Sequence, residues 1–273
     1  MTCFWGGVAA VETNLRSLKA YLATAAEAAR AAGALMRQYL RKTKKVNQAA
    51  QHDIKLDLDV RSQRLITRVL AQAWPEIPIL GEEDAEDSTA KAEARWVVDP
   101  IDGTVNYAYG IPHAAVSIAL QVREKDGFRS VAGVVYDPFM DELWSAISGQ
   151  KAKLNGKPIK VSSRSRVDEA LVSLGFAQGK ESLDAVQQDF LRLTHRVRKL
   201  RIMGSAALAL VYVADGRFDA YIETGVRIWD VAAGGLIVEA AGGEFWNRPL
   251  AGEHRVAVVA SNGKLRRQLT GHR

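Results

Sequence analysis

Two aspartates that follow a short apolar run are the residues of this sequence with the clearest capacity for chemistry. Asp99 and Asp102 come directly after Trp96–Val98, and Pro100 restricts the backbone between them. The apolar run is typical of a buried strand, so both acids are expected at its carboxyl end, where open sheets place their ligands. Carboxylates this close repel each other unless a divalent cation lies between them. The segment therefore predicts a cation site.

The next two residues could bind an anion beside that cation. Gly103 and Thr104 open a predicted short helix, and backbone N–H groups at a helix N-terminus can hold a phosphate oxygen. The segment from Asp99 to Gly103 is also compatible with an Asp-Pro turn followed by an Asp-Gly turn, neither of which binds a ligand. Both interpretations of this segment stay open at this point.

Further acidic residues stand at the ends of predicted elements: Asp59, the pair Glu82 and Glu83, and Asp230. Taken singly, Asp230 could be an acid favoured by a helix dipole, and the glutamate pair could be part of a solvated loop. Together they offer hard oxygen ligands without histidine or cysteine, a set that favours Mg²⁺ or Mn²⁺ over zinc. Carboxylate-held Mg²⁺ beside a phosphate seat is typical of phosphoryl transfer to water.

The length of 273 residues predicts two domains or one large layered domain. The order of the helices and strands that must position these acids differs between the two halves of the chain. The first half reads as one or two helices over 12–40, an alternating strand or extended segment over 53–59 with three carboxylates on one face, a helix over 60–73, and strands over 77–80, 115–122, 131–136 and 142–146. From about Glu169, strands alternate with helices, namely strands over 170–174, 199–203, 218–222 and 255–260 and helices over 184–197, 205–214, 229–240 and 262–269. We therefore predict an α+β half, 1–155, followed by an α/β half, 156–273.

Composition narrows the class of protein. A single cysteine, Cys3, excludes an internal disulfide and a cysteine-based zinc site. No apolar stretch reaches eighteen residues and the first ten residues lack a basic region, so we expect a cytoplasmic protein without a membrane segment. The five histidines form no metal-binding pattern. Trp96 and Trp229 are predicted to be core anchors that position the neighbouring acids.

A net charge of +6 leaves a different class of function open. RNA or transcription-complex binding is the alternative suggested by a basic cluster near the second half's first helix, made of Arg192, Arg196, Arg198, Lys199 and Arg201. A solvated helix face that passes into a strand explains the same cluster, and we prefer that interpretation. Nucleic acid is therefore not the expected partner.

Three motifs, in order along the chain, resemble one family. Gly81-Glu82-Glu83, the run from Trp96 to Tyr107, and Trp229-Asp230-Val231-Ala232 resemble the inositol monophosphatase family of Mg²⁺-dependent, lithium-sensitive sugar phosphatases, and the resemblance extends from about residue 15 to the C-terminus. It implies a layered αβαβα sandwich of the kind shared with fructose-1,6-bisphosphatases, a homodimer and a small phosphorylated substrate. Inositol monophosphate is the first expectation, and fructose-1,6-bisphosphate and histidinol phosphate remain alternatives.

The resemblance also implies a role for each matched position. Glu82, Asp99 and the carbonyl of Ile101 would hold a first metal ion that activates the attacking water. Asp99, Asp102 and Asp230 would hold a second ion that stabilises the leaving alkoxide. The remaining roles are water orientation by Thr104 and Asp59, phosphate binding by the amides of Gly103 and Thr104, support of the metal ligands by Glu83, and substrate contacts by Asp102, Ser205, Ala206 and Glu223.

One departure from the family concerns a third metal ion. The lysine that members often carry before the first acidic strand is absent near Gln48 and Ala49, although Lys44 and Lys45 are close. Two Mg²⁺ ions are therefore expected and a third is in question. The resemblance further implies that Mn²⁺ substitutes for Mg²⁺ and that Li⁺ or Ca²⁺ inhibits.

Overall fold

Two large β-sheets alternate with three layers of helices in this protein, and a third sheet of the described residues has only two strands, Val46–Ala50 and Asp53–Leu56. The computed structural model describes residues 14–43, 46–50, 53–84, 86–177 and 179–270. The helices are α1 (Leu15–Tyr39), α2 (Asp57–Ala73), α3 (Thr104–Ala108), α4 (Lys180–Leu193), α5 (Ala206–Ala214), α6 (Ile228–Ala240) and α7 (Arg266–Thr270). The strands are β1 (Val46–Ala50), β2 (Asp53–Leu56), β3 (Ile79–Gly81), β4 (Ala94–Asp102), β5 (Ala115–Glu124), β6 (Gly127–Asp137), β7 (Glu142–Ile147), β8 (Lys153–Leu154), β9 (Lys157–Pro158), β10 (Leu171–Leu174), β11 (Lys199–Arg201), β12 (Ala220–Arg227), β13 (Glu244–Pro249) and β14 (Arg255–Ser261).

Helix α1 forms the outer layer of the first half with α2. Its Ala-rich sequence has high helix propensity, and the side chain of Asn14 caps it by accepting hydrogen bonds from the N–H groups of Arg16 and Ser17. Apolar residues at helical spacing, among them Leu18, Tyr21 and Met36, are buried along one stripe. This stripe and the apolar face of α2 pack on the larger sheet.

The larger sheet has seven strands in the order β3-β4-β5-β6-β7-β8-β9, in which only the β3–β4 pair is parallel. Every residue of β4 is buried, because helices cover both faces of the sheet. Trp96 and Val98 pack in the core beneath α1 and α2, whereas Val97 packs in the core on the opposite face. The strand that carries Asp99 and Asp102 is thus held from both sides.

The second sheet has five strands in the order β11-β10-β12-β14-β13, parallel around β10 and antiparallel around β14. Helices α5 and α6 lie between the two sheets and are apolar nearly all round, as a helix buried on every side must be. Helices α4 and α7 cover the far face of the small sheet, with Leu193, Leu265 and Leu269 buried there. The layered αβαβα sandwich is confirmed.

The proposed boundary between the halves falls in a β-turn. Asn155 and Gly156 join β8 to β9 with φ angles of 47° and 79°, the left-handed geometry that an Asn-Gly hairpin turn requires. Both strands belong to the seven-stranded sheet, and α5 and α6 of the second half pack against that same sheet. Division into 1–155 and 156–273 stays a prediction.

The segment over 53–59 differs from its prediction as one alternating strand. Strand β2 ends at Leu56 and α2 begins at Asp57, so Asp57 and Asp59 occupy the first turn of a helix and the three carboxylates share no strand face. The carboxylate of Asp59 accepts a hydrogen bond of 2.6 Å from the N–H of Leu56, and acids near a helix N-terminus are stabilised by the helix dipole. Capping therefore outweighs the alternation.

Other boundaries moved by a few residues. Helix α4 begins at Lys180 and ends at Leu193, α7 begins only at Arg266, and β11 ends at Arg201. Strand β13 was not predicted at all, because its residues are mostly exposed and show no apolar alternation. Among the described residues, no helix is both long and apolar enough to span a membrane.

Candidate active site

A bulge in β4 directs two carboxylates to the same place. Asp99 and Asp102 are three residues apart, so in a regular strand they would face opposite sides of the sheet. Pairing with β5 shifts register between them, and the carboxylate of Asp99 accepts a hydrogen bond of 2.9 Å from the N–H of Ile101. Both aspartates are buried, with exposed fractions of 1% and 7%, and both line one cavity.

The third carboxylate of this cavity comes from the other half of the chain. Asp230 lies in the first turn of α6, and its Oδ2 accepts a hydrogen bond of 3.0 Å from the N–H of Arg227. One carboxylate oxygen each of Asp99, Asp102 and Asp230 lie within 4.8 Å of one another. The structure therefore brings together residues that are more than a hundred positions apart in sequence.

Burial and mutual repulsion make this cluster unstable without a counter-charge. Burial raises the pKa of Asp99 well above its usual range, and the carboxylates of Glu82, Asp102 and Asp230 raise it further. Burial and the carboxylates of Asp102 and Glu82 also raise the pKa of Asp230 well above its usual range, although the hydrogen bond from the N–H of Arg227 lowers it in part. Every leading effect on Asp99 disfavours its ionised form, so this arrangement of carboxylates favours the binding of a cation.

Asp102 has a second task at the N-terminus of α5. Its carboxylate accepts hydrogen bonds from the hydroxyl of Ser205 and from the N–H groups of Ala206 and Ala207, at 3.3 and 2.8 Å for the two amides. These donors offset part of the burial effect, and the pKa of Asp102 rises to about 6. The hydroxyl of Ser205 also accepts from the N–H of Leu208, so it caps α5 and holds Asp102 together.

The two predicted glutamates differ in position. Glu82 follows β3, its N–H donates to the carbonyl of Val98 at 3.1 Å, and its side chain lines the cavity next to Asp99. Glu83 instead lines a separate pocket beside α2, where its N–H donates to Oε1 of Gln63 at 3.0 Å. Glu82 is thus in reach of the carboxylate cluster, while Glu83 lies behind it.

Gly103 and Thr104 form the turn that leads out of β4. Gly103 has a φ of 94°, which favours glycine, and a Cβ there would lie 2.9 Å from the carbonyl oxygen of His113. The hydroxyl of Thr104 donates to the carbonyl of Ile101 at 2.8 Å, which leaves the lone pairs of its oxygen available as acceptors. Both residues line the cavity.

Three predicted site residues lie behind the cavity wall rather than on it. Asp59, Glu83 and Ile101 are not part of the lining that the described residues form. Asp59 is 2% exposed and its Oδ2 is engaged by the N–H of Leu56. The carbonyl of Ile101 accepts from Thr104, and an oxygen with two lone pairs retains capacity for a second partner. Their assigned roles stay predictions.

The whole cavity measures about 760 Å³. Residues of the second half form most of its remaining wall. Glu223 on β12 is 9% exposed, and burial raises its pKa to about 7, an effect that a hydrogen bond from the hydroxyl of Tyr221 partly offsets. Ser205, Ala206 and Trp229 also line the cavity. Trp96 is a core anchor as predicted, but half-buried Trp229 forms part of the wall.

At the rim of the cavity, residues that the sequence alone did not indicate bring the two halves of the chain into contact. Oδ2 of Asp87, from the loop after β3, lies 3.5 Å from Nε2 of His254 on the β13–β14 turn, and both line the cavity. Tyr221 and Gly175 were missed as well, because an apolar-looking tyrosine within a strand and a lone glycine carry no distinct signal. Only Tyr221's position two residues before Glu223 could have pointed to it.

These donors fit a divalent cation. Carboxylate oxygens are the ligands that Mg²⁺ and similar hard cations prefer, and the cluster combines three of them with a cavity large enough for a small substrate. The site and fold are those of a metal-dependent hydrolase of phosphate monoesters. The profile of the inositol monophosphatase family matches residues 17–271, and the chain belongs to this family, whose members are phosphatases.

Individual relatives agree with that assignment. Inositol monophosphatase 1 of Solanum lycopersicum is 37% identical over 259 residues, which cover 92% of this chain and 93% of the relative. The structure of an inositol monophosphatase from Anabaena (Nostoc) sp. PCC 7120 superposes with a TM-score of 0.80 at 36% identity, covering 92% of this chain and 94% of that one. A protein named Nus factor SuhB from Pasteurella multocida is 38% identical over 193 residues, covering 70% of this chain and 71% of its own.

Proposed function

We propose that this protein is a Mg²⁺-dependent phosphatase of a small sugar or polyol monophosphate, with inositol monophosphate as the first substrate to test. The observation that carries the proposal is the convergence of Asp99, Asp102 and Asp230 in the same cavity as Glu223. The carboxylates provide ligands for cations, which in turn would bind the phosphate, and Glu223 provides an acceptor for substrate hydroxyls. Fructose-1,6-bisphosphate and histidinol phosphate are alternative substrates of the same site.

Each residue of the site has a defined task in this proposal. Mg²⁺ ions, when bound, neutralise phosphate charge and activate water for attack. Asp99, Asp102 and Asp230 hold the ions, with Glu82 and the carbonyl of Ile101 completing the set. Glu83 supports this set from behind. A third ion, substitution by Mn²⁺ and inhibition by Li⁺ or Ca²⁺ belong to the same proposal.

The phosphate and the water are oriented by the turn after β4. The amides of Gly103 and Thr104 bind phosphate oxygens. The hydroxyl of Thr104 donates to Ile101, so its oxygen can accept a hydrogen bond from the attacking water and fix the direction of that water's lone pair. Asp59, in the first turn of α2, is proposed to orient the same water. Ser205 and Ala206 contact the sugar from the N-terminus of α5, where both residues donate hydrogen bonds to the carboxylate of Asp102.

The test is a panel of phosphate monoesters assayed with and without Mg²⁺ on the wild type and on Asp99→Asn and Asp230→Asn. We expect each variant to lose phosphate release by orders of magnitude while it stays folded, because each removes a negative ligand shared by the cluster. Asp168→Asn is the matched control, since Asp168 is exposed and pairs with Arg166 away from the cavity. Normal turnover by either site variant would refute the ligand assignment.

Quaternary structure and location are part of the proposal. A homodimer is supported by exposed apolar side chains near the cavity mouth, namely Tyr109, Ile111 and Ile202, and sedimentation equilibrium would test it. A cytoplasmic location is supported by a composition with a single cysteine, which suits a reducing compartment. Fractionation of cells that express the tagged chain would test the location.

A role in a transcription complex is the second candidate function, because one group of relatives is named Nus factor SuhB. The structure shows that two members of the basic cluster are engaged elsewhere: Arg192 and Arg196 donate to backbone carbonyls at the C-terminal end of the described chain. Arg198, Lys199 and Arg201 are exposed. Binding of RNA that falls steeply with salt would support this function.

A further inference from the structure

Tyr221 and Glu223 form a buried pair on one face of β12. They are two residues apart and so point to the same side of the strand, into the cavity that holds the carboxylate cluster. Tyr221 is 1% exposed, and its hydroxyl donates a hydrogen bond to Oε2 of Glu223. One carboxylate oxygen of Glu223 is therefore already hydrogen-bonded to the protein where the side chain lines the cavity.

The direction of this hydrogen bond follows from the surroundings. Burial raises the pKa of Tyr221 well above its usual range, and the carboxylate of Glu223 raises it further, so the phenol keeps its proton and acts as the donor. Glu223 accepts, and the bond lowers its pKa against the effect of burial. The tyrosine thus favours the form of Glu223 that can only accept hydrogen bonds.

A glycine leaves room for this arrangement. Gly175 follows β10, and its N–H donates to the carbonyl of Ile222 at 3.0 Å, which places it directly beside the pair. A Cβ on Gly175 would overlap the carboxylate of Glu223 and would lie 3.1 Å from the hydroxyl of Tyr221. The carboxylate occupies the volume that any other side chain at position 175 would take.

From this geometry we propose that Tyr221 is a positioning residue, which holds Glu223 as an oriented acceptor and so makes the site select phosphate esters that carry a free hydroxyl near the phosphate. The inference rests on the proposed phosphatase function, in which Glu223 accepts a hydrogen bond from a substrate hydroxyl, and adds the residue that positions Glu223. A carboxylate fixed on one oxygen offers the lone pairs of the other in a defined direction, and a hydroxyl donor matches them, whereas a substrate without a hydroxyl leaves them unused.

The experiment compares two substrates on wild type and Tyr221→Phe. One is the hydroxylated substrate with the higher kcat/KM of inositol 1-phosphate and fructose-1,6-bisphosphate; the other is p-nitrophenyl phosphate, whose leaving group has no free hydroxyl. Loss of the hydrogen bond that orients an ionised acceptor is expected to raise KM for the hydroxylated substrate by about tenfold with kcat changed by less than about twofold. Both constants for p-nitrophenyl phosphate should stay within about twofold.

Two further variants protect the test against a simple folding defect. Tyr136→Phe is the matched control, because Tyr136 is equally buried and its hydroxyl donates to Asp141 outside the cavity; it should leave both substrates unchanged. Gly175→Ala should raise KM for the hydroxylated substrate alone, since it displaces Glu223 while the hydroxyl of Tyr221 remains.

The outcomes separate this inference from the function on which it rests. A wild type that hydrolyses no phosphate ester in the presence of Mg²⁺ refutes the function. An active wild type whose Tyr221→Phe variant changes both substrates equally, or neither, overturns the inference, because a merely structural hydroxyl would not distinguish the two. A selective rise in KM for both Tyr221→Phe and Gly175→Ala supports it.

Discussion

Removing one charge from the carboxylate cluster should stabilise the protein when no divalent cation is present. Asp99 is the residue to change, because Glu82, Asp102 and Asp230 all raise its pKa on top of burial. In Asp99→Asn, the amide oxygen can still accept the hydrogen bond from the N–H of Ile101, so the substitution removes the charge and leaves the local backbone bonding in place.

The size of the effect follows from the separation of the carboxylates. Two unit charges 4.8 Å apart in a medium of effective dielectric constant about 20 repel by about 3 kcal/mol, and Asp99 takes part in two such pairs. Protonation of one carboxyl relieves part of this repulsion in the wild type, so we expect the free energy of unfolding to rise by about 1–3 kcal/mol. For a chain of this size that corresponds to a melting temperature higher by roughly 2–5 °C.

The assay is thermal unfolding at pH 8 in EDTA and again in excess Mg²⁺. Wild type should gain stability with Mg²⁺, because a ligand that binds only the folded state stabilises it, and Asp99→Asn should gain far less. Asp219→Asn is the contrasting control: Asp219 is fully buried and its carboxylate accepts from Nε of Arg164 at 2.8 and 2.9 Å, so its loss should destabilise the protein in both buffers. If Asp99→Asn melts lower than wild type in EDTA, the repulsion argument is wrong.

Three further perturbations have definite expected results. The folded-state pKa values of Asp102 and Glu223 are raised to about 6 and about 7, so without divalent cations the free energy of unfolding should fall as pH rises from 5 to 8; urea titrations that show it rising would contradict this. Gly133→Val should destabilise by about 1–3 kcal/mol in the same assay, because a Cβ on Gly133 already lies 3.1 Å from the backbone of α6. Asp87→Ala should cost about 1–3 kcal/mol by leaving the buried guanidinium of Arg95 without its carboxylate 3.6 Å away, and an unchanged urea midpoint would show that the pair is dispensable.

Much of the fold could be predicted because local pattern and tertiary packing agree over long stretches. The apolar spacing of α1, the apolar runs of β5 to β7 and the Asn155-Gly156 turn are strong local signals, and each element formed where the pattern placed it within a few residues. The predicted strand formed over 53–56, but the prediction was wrong over 57–59, where alternation favours a strand while the acids stabilise a helix N-terminus. Strand β13 has no apolar face, so only its pairing with β14 identifies it.

The candidate site divides in a similar way. Asp99, Asp102, Glu82 and Asp230 stand out in the sequence because acids directly after or within apolar segments are unusual, and the structure places all four around one cavity. The pairing of Tyr221 with Glu223 depends on their common face of β12 and could not be read from composition. The contact between Asp87 and His254, which lie in different halves of the chain, has no sequence signal at all.

By itself, the sequence determined the kinds of groups available: hard oxygen ligands, glycine in the turn after β4, and apolar runs with the periods of helices and strands. Tertiary structure alone decided which of them meet. The bulge in β4 turns Asp99 and Asp102 to one side, and the burial of α6 between two sheets delivers Asp230 to them. Register and layer packing act between residues far apart in the chain, so the mutual distances of these charges, and hence their shifted pKa values, exist only in the folded protein.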